Sequence, residues 1–228
     1  PVCVLIRAHG IPKSTREVLA HCAAQNPAFR YIDCTCPYVT KIHRIATENS
    51  PNACGKDTVF LVMGAADHPE VRGFTSCFDG EIHVFGSVEE LQSGLKNGKI
   101  VNLHKSTPVF AAQTTFHLYE WKKSLEILKN LCTNAKIFDT ICSVTEKRQA
   151  EAAALAQTHD LMIVIGGRES SNTRKLYHIC REFCPDTIWI ERADELKTQN
   201  INPFSHRQVG IVAGASTPVD VIEEVHKT

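Results

Sequence analysis

Short apolar runs alternate with amphipathic segments along the chain. The runs end in glycine or small polar residues, and polar loops then lead into stretches with apolar residues at helical spacing. This order predicts an α/β fold with mostly parallel sheets, because strands and helices alternate in such folds. The predicted strands are VCVLI, FRYI, TVFLVMG, IHVFG, PVFAA, AKIF, LMIVIGG, TIWI and QVGIVAG, and the clearest helices are STREVLAHCAAQ, FHLYEWKKSLEILKNLC and VTEKRQAEAAALAQ.

Composition narrows the class of protein. The 228 residues hold 25 basic and 25 acidic side chains, and this balance argues against a nucleic-acid partner, which usually meets a basic excess. No apolar run approaches the roughly 20 residues that span a membrane, so no membrane partner is expected. Ten cysteines in a chain with an ordinary apolar content of 43% predict a reducing cytoplasm, with most thiols buried and inert.

An internal repeat links two cysteine loops. The segments IDCTCPYVTK and FDTICSVTEK share an aspartate, a cysteine, Val-Thr and a lysine, which pairs Cys36 with Cys142. Later strand ends repeat too, and His68 precedes Thr114 by 46 residues, as Ser170 precedes Ser216. Equal spacing over that length indicates duplicated modules.

The repeat predicts three α/β modules in a pseudo-threefold arrangement around a central site, with the first module truncated. The predicted boundaries are a remnant at 1–36, a second module at 37–138, and a third at 139–228 with a C-terminal helix. The two cysteine loops are 106 residues apart, so the repeat places a first cysteine about 70 residues before Pro1. The third cysteine of the set is therefore expected outside this chain.

Three thiolates directed at one centre would hold three irons of a [4Fe–4S] cluster and leave the fourth iron open. Cys36 and Cys142 are the candidate ligands, whereas Cys34 aligns with Thr140 and is predicted to be a packed small residue. Two alternatives stay open. In the first, the repeated thiols would be buried and inert, as most intracellular cysteines are. In the second, they would bind zinc, although zinc ligands usually come in closer pairs.

Polar residues at the other strand ends predict an anion site. Ser170 and Ser171 can cap the next helix, with Asn172 in its first turn, and Ser216 stands in a similar position. Free N–H groups at a helix start suit phosphate, although simple capping explains the residues equally well.

Two histidines and one glutamate fall at related strand ends. His9 and His68 are predicted to bind phosphate jointly, although a lone histidine at such a point is more often structural. Burial of Glu70 beside them would be costly unless the carboxyl group were paired or acted as an acid.

Seven loops, in order and over nearly the whole chain, resemble those of the LytB/IspH family. These loops are RAHGIP, DCTCPYVTKIH, HPEVRG, AAQTT, ICSVTEKRQ, ESSNTRKL and VAGASTP. The resemblance implies reduction of (E)-4-hydroxy-3-methylbut-2-enyl diphosphate to isopentenyl and dimethylallyl diphosphate in non-mevalonate isoprenoid biosynthesis. It also implies a [4Fe–4S] cluster and an external electron donor such as ferredoxin or flavodoxin.

The resemblance also assigns roles to residues. Glu70 matches the proton donor, Thr114 the residue beside the substrate hydroxyl, and Thr145 a further pocket residue. Cys36 and Cys142 match cluster ligands. The positions that match diphosphate-binding residues are His9, His68, Ser170, Ser171, Asn172 and Ser216. Family members carry a further segment with the first cluster cysteine, so this chain by itself is expected to be inactive.

Two other functions fit part of the pattern. A metal-dependent hydrolase could use His9, His68 and Glu70 as metal ligands on a small phosphorylated substrate, although it would not explain the repeated cysteines. A non-catalytic module that binds a small diphosphate is the other alternative.

Overall fold

The structure, a computed structural model, describes residues 1–97, 100, 105–198 and 208–227. It comprises two compact units, Pro1–Ile141 and Cys142–Thr228, called unit 1 and unit 2 below. Every predicted strand coincides with an observed one, and all strand pairs among the described residues are parallel. The predicted α/β class with parallel sheets is therefore confirmed.

Unit 1 contains six strands and six helices within its described residues. The strands are β1 (Val2–Ile6), β2 (Phe29–Asp33), β3 (Thr58–Met63), β4 (Glu81–Phe85), β5 (Thr107–Ala112) and β6 (Lys136–Ile137). The helices are α1 (Lys13–Gln25), α2 (Pro37–Glu48), α3 (Pro51–Cys54), α4 (Pro69–Thr75), α5 (Val88–Lys96) and α6 (Leu118–Leu131).

The main sheet of unit 1 has the strand order β4-β3-β5-β6 and is covered on both faces. Every residue of β3 is buried, as expected for an interior strand of a parallel sheet. Because side chains alternate along a strand, Val59 and Leu61 pack on one face with Trp121 of α6. Phe60 packs on the other face with Phe74 of α4. The sheet thus fixes the helices that carry the candidate site.

A second sheet of unit 1 pairs β1 with β2 alone among the described strands. Ile6 lies opposite Asp33, so the loops after both strands begin side by side. Val2, Leu5 and Ile32 are about half to two-thirds exposed, whereas Ile6 is buried. This pair positions the His9 and Cys36 loops next to each other.

Unit 2 repeats the arrangement on a smaller scale. Its strands are β7 (Leu161–Ile165), β8 (Thr187–Ile190) and β9 (Val209–Ala213), in the order β8-β7-β9. Its helices are α7 (Ser143–Ala156), α8 (Ser171–Phe183) and α9 (Val219–Lys227), with a 3₁₀ helix at Ala193–Thr198. The fully buried β7 packs against α7 and α8 on one face, and against α9 and the 3₁₀ helix on the other.

The expected module boundaries and the expected burial of the cysteines have different outcomes. The module boundaries 1–36, 37–138 and 139–228, and their pseudo-threefold arrangement, stay predictions. The expectation that most thiols are buried is wrong, because only Cys132, Cys180 and Cys184 are buried and Cys34 is exposed. Cys34 follows β2 in a loop where its backbone, not its side chain, is tied to the sheet through Ile6.

No helix in the described part of the chain is both long and apolar enough to cross a membrane.

Candidate active site

Neighbouring parallel strands bring the candidate loops of unit 1 together. β3 and β5 pair so that Met63 lies opposite Ala112, and the loops after these residues leave the same sheet edge. The first loop leads to Glu70 and the second contains Thr114. Ligand sites in α/β folds form at this carboxyl edge, so the strand order creates the setting that the sequence predicted.

Glu70 and Thr114 form a buried pair. The Glu70 carboxylate accepts hydrogen bonds from the Thr114 backbone N–H at 2.7 Å and from its Oγ1 at 2.8 Å. Glu70 is only 2% exposed and Thr114 only 5%. A buried carboxylate needs such donors, because an unpaired one would be strongly destabilising. The two hydrogen bonds hold both carboxylate oxygens in fixed positions.

The two predicted histidines of unit 1 also lie together. His68 precedes the first residue of α4, where its Nδ1 accepts a hydrogen bond from the Glu70 backbone N–H at 3.2 Å. The rings of His9 and His68 meet edge to face, with centroids 5.3 Å apart. Burial, assisted by the positive charge of Arg7, lowers the pKa of His9. A neutral His9 ring has one N–H group, which can donate a hydrogen bond to an anionic group.

Gln113 connects the two loops, although sequence reasoning assigned it no role. Its Oε1 accepts a hydrogen bond from the Ala65 backbone N–H at 3.2 Å, and its Nε2 donates to Thr115 Oγ1 at 3.0 Å. The side chain is fully buried. Gln113 therefore braces the β3 loop against the β5 loop. Its position between two alanines and two threonines in AAQTT was the available signal, since a buried amide requires partners.

Cys36 and Cys142 occupy equivalent local positions, one in each unit. Each directly precedes the first residue of a helix, α2 or α7, and each is half-buried. Their sulfurs form no hydrogen bond with any described residue. The Cys36 backbone N–H donates to the Ala8 carbonyl at 3.0 Å, which ties the cysteine loop to the His9 loop. Within the described ranges, no group of three potential metal ligands is assembled.

Thr140 ties the second cysteine loop to β5. Its Oγ1 accepts from the Ala112 backbone N–H at 2.8 Å and donates to the Ala112 carbonyl at 2.6 Å. The Thr140 hydroxyl group thus satisfies both backbone groups of Ala112, as a residue of a neighbouring strand would. Thr140 is only 2% exposed. This contact anchors the end of unit 1 next to the loop that contains Thr114.

In unit 2, the same rule of adjacent strand ends applies to β7 and β9, where Ile165 lies opposite Ala213. Ser170 caps α8, as predicted, by accepting from the Thr173 backbone N–H at 3.2 Å. Asn172 is 7% exposed, and its side-chain amide has no hydrogen-bond partner among the described residues. A buried amide at a helix start needs a polar partner, such as an ordered water molecule or an anion.

The other three predicted residues of unit 2 differ in position and in burial. Ser171 is the first residue of α8, and Thr145 is buried in the first turn of α7. Ser216 is exposed in the loop after β9 and lies three residues before α9 begins at Val219, so the expectation that it caps this helix is wrong. Its neighbour Thr217 is the residue that binds back to the sheet, through the Ile165 carbonyl at 3.0 Å.

Two glycines let the loops of unit 2 approach α8. Gly166 has a φ of +146°, a backbone conformation that favours glycine. A Cβ atom at Gly214 would clash with Thr173 Oγ1. The β7 and β9 loops therefore pack directly against the first turn of α8.

Residues of β8 and the residue after it hold the β7 loop. Trp189 Nε1 donates to the Gly166 carbonyl at 2.7 Å. The Arg168 backbone N–H donates to Glu191 Oε1 at 2.6 Å, and the Arg168 guanidinium donates to the Trp189 carbonyl at 2.7 Å. These contacts come from β8 and the residue after it, which sequence reasoning did not assign to the site. They fix the backbone that leads to Ser170.

Comparison with known proteins gives a consistent result. The family model described as "LytB protein" matches residues 2–228. A 4-hydroxy-3-methylbut-2-enyl diphosphate reductase of Caldanaerobacter subterraneus is 39% identical over 222 residues, which cover 97% of this chain and 70% of the relative. The reductase of Nitratiruptor is 39% identical over 223 residues, which cover 97% of this chain and 74% of that relative.

Solved structures agree with these relatives. A structure described as (E)-4-hydroxy-3-methyl-but-2-enyl diphosphate reductase, the terminal enzyme of the non-mevalonate pathway, is 33% identical with a TM-score of 0.59. The match covers 99% of this chain and 74% of that one. The E-1-hydroxy-2-methyl-but-2-enyl-4-diphosphate reductase of Plasmodium falciparum is similar in fold, with a TM-score of 0.81 at 23% identity, over 99% of this chain and 66% of that one.

Proposed function

Because the chain belongs to the LytB family, we propose that it is a reductase that removes the hydroxyl group of (E)-4-hydroxy-3-methylbut-2-enyl diphosphate. The family expected from the seven loops is confirmed by the comparisons. The products are isopentenyl and dimethylallyl diphosphate. The relatives' function favours this reaction over a hydrolase or a non-catalytic module.

The buried Glu70–Thr114 pair is the observation that carries the proposal. Loss of a hydroxyl group as water requires a proton on the departing oxygen. Glu70 in its protonated form supplies this proton, and the contacts with Thr114 hold the carboxyl group in place. Burial excludes bulk water, so the proton passes to the substrate and not to solvent.

Each unit carries its own anion-binding groups for the diphosphate. In unit 1 these are His9 and His68, whose rings lie together. In unit 2 they are Ser170, Ser171, Asn172 and Ser216, which flank the carboxyl ends of β7 and β9. The unsatisfied Asn172 amide at the start of α8 favours an anion. Thr145 is assigned to the substrate pocket.

Two thiols of this chain fit ligands of an iron–sulfur cluster. Cys36 and Cys142 are half-buried at helix starts, and their sulfurs are not engaged by other described residues. Thiolates are the usual ligands of such clusters, and the further cysteine that a [4Fe–4S] cluster needs is expected from outside this chain. When bound, the cluster would relay the two electrons of the reduction from the donor to the substrate.

The overall reaction balances with two electrons and two protons. One proton leaves with the hydroxyl oxygen as water, and the other is added to the carbon skeleton. The electrons come from an external donor, for which ferredoxin and flavodoxin are the proposed classes. Glu70 accounts for the first proton.

Replacement of either cluster cysteine tests the assignment. In protein that includes the family's further cysteine segment, Cys36→Ala and Cys142→Ala should each abolish the brown colour and visible absorption after anaerobic reconstitution with iron and sulfide, because each removes a thiolate ligand. Iron content and absorption spectra measure the effect. Cys54→Ala, which changes another half-buried thiol, should keep both. A colourless wild-type protein containing zinc would contradict the redox assignment.

Trp189→Phe tests the anion loop of unit 2. The variant keeps an aromatic ring but removes the hydrogen bond to Gly166. Because such a bond contributes about 0.5–1.5 kcal/mol, inorganic diphosphate should bind about 2- to 13-fold more weakly by calorimetry. Tyr177→Phe is the matched control, since it removes a hydrogen bond from Arg181 on the same unit's α8. Equal affinities for both variants would show that the loop does not depend on Trp189.

A further inference from the structure

A cavity of about 360 Å³ opens between α1 and α2 in unit 1. Its lining residues, none of which is assigned above to substrate or cluster, include the cations Lys13, Arg16 and Arg44. Asp33 is the only carboxylate among them. A pocket of this size, with polar groups directed into it, is in the range that holds small organic ligands.

The positive charge of this cavity is only partly neutralised. Asp33 is engaged by Arg16 at 2.5 Å and accepts from the Thr35 backbone N–H at 3.0 Å. Burial raises the pKa of Asp33, but the bonds from Arg16 and Thr35 outweigh it and lower the pKa to about 2. Asp33 is therefore ionised at neutral pH and is committed to Arg16.

The other two cations lack a strong partner. The Lys13 ammonium group forms no ion pair with a described residue. Arg44 reaches Glu48 only at 3.7 Å, with both side chains mostly exposed, and such pairs contribute little. Arg16 keeps guanidinium N–H donors beyond the one that binds Asp33. Three donor groups thus remain for an incoming anion.

An adjoining cavity of about 480 Å³ extends the same groove. It shares Thr35, Thr40 and Arg44 with the first cavity and adds Lys41. Thr35 donates its hydroxyl proton to Asp33 Oδ1, which leaves the Thr40 hydroxyl group as a neutral donor in the groove. The combined groove is therefore larger and more basic than a site for one inorganic ion needs.

The wall of the first cavity carries two groups that do not reduce its positive charge. His43 Nδ1 lies 3.4 Å from Cys77 Sγ. Burial, followed by the charge of Arg16, lowers the pKa of His43 to about 4, so the ring is neutral at pH 7. Burial raises the pKa of Cys77, so the thiol is protonated. The Cys77 thiol can report on occupancy of the cavity by its rate of alkylation.

We propose that this groove is a second anion site, which binds a small organic molecule with at least two carboxylate or phosphate groups through Lys13, Arg16 and Arg44. The proposal does not depend on the reductase function, because it uses different residues. The Asp33–Thr35 segment that lines the groove continues directly into Cys36. A ligand there would contact the loop that carries a proposed cluster cysteine.

Site-resolved thiol alkylation tests the proposal. The protein is treated with iodoacetamide, with and without citrate or 2-phosphoglycerate, at one ionic strength set with NaCl, and each cysteine is followed by mass spectrometry. At least one anion should slow alkylation of Cys77 about fivefold or more and leave the exposed Cys3 unchanged. Citrate alone would indicate a carboxylate ligand, and 2-phosphoglycerate alone a phosphate ester.

Charge-matched variants separate a site from a general salt effect. Lys13→Gln with Arg44→Gln should abolish protection of Cys77, whereas Lys122→Gln with Lys129→Gln, on the exposed face of α6, should keep it. Each single variant, Lys13→Gln or Arg44→Gln, should weaken protection partly. No protection by either anion, equal slowing of Cys3, or equal protection in both double variants would overturn the proposal.

Discussion

Glu70→Gln should reduce turnover by roughly 10²- to 10⁴-fold, the usual contribution of a general acid. Glutamine keeps the shape of the side chain and both contacts with Thr114. Its Oε1 can accept from the Thr114 backbone N–H, and its Nε2 can donate to Thr114 Oγ1. The variant therefore removes the transferable proton while the loop stays in place.

The measurement is anaerobic turnover of the diphosphate substrate with a chemical reductant, on cluster-loaded protein that includes the family's further cysteine segment and whose wild type is active. Glu126→Gln, on the exposed part of α6, is the matched control and should be unaffected. The melting temperature of Glu70→Gln should stay close to that of the wild type. Undiminished turnover would remove Glu70 from the role of proton donor, whatever the fate of the cluster.

Phe60→Ala should lower the free energy of unfolding of unit 1 by about 3–5 kcal/mol, the range for truncating a buried phenylalanine. Phe60 is fully buried in β3. The centroid of its ring lies 5.2 Å from that of Phe78 and 6.0 Å from that of Phe74. Phe74 belongs to α4, the helix that carries Glu70. Truncation therefore leaves a cavity directly behind the active-site helix.

Urea unfolding followed by tryptophan fluorescence measures this effect. The chain has two tryptophans, so in a Trp189→Phe background the signal comes from Trp121 of unit 1 alone. Tyr119→Ala is the control, because this residue is 60% exposed and its removal should cost less than 1 kcal/mol or so. A loss below about 1 kcal/mol for Phe60→Ala would show that β3 and α4 can repack around the cavity.

Periodicity made the strands predictable. In TVFLVM, Val59 and Leu61 face one cluster and Phe60 and Val62 the other, which is the alternation of a strand buried on both faces. This alternation involves only residues that are adjacent in the sequence, so it can be recognised without the tertiary structure. The repeat likewise predicted that Cys36 and Cys142 would share one local position, and both precede the first residue of a helix.

Exposure of single residues was harder to predict. Cys34 was expected to pack as a small residue because its repeat partner, Thr140, is not a thiol. Thr140 is indeed buried, but only because its hydroxyl group binds both backbone groups of Ala112 in β5. The strand next to Cys34 is β1, and there the backbone of Cys34 makes the corresponding contact while the thiol stays exposed.

The sequence by itself determined the α/β class, the strand positions and the family, since local periodicity and loop motifs encode them. Only the tertiary structure decided which side chains meet. Glu70 binds Thr114 because β3 and β5 are neighbours, and Trp189 holds Gly166 because β8 pairs with β7. Strand order is set by packing between elements that are distant in the chain. Local sequence patterns therefore do not predict the contacts that depend on strand order, nor the cation-lined groove between α1 and α2.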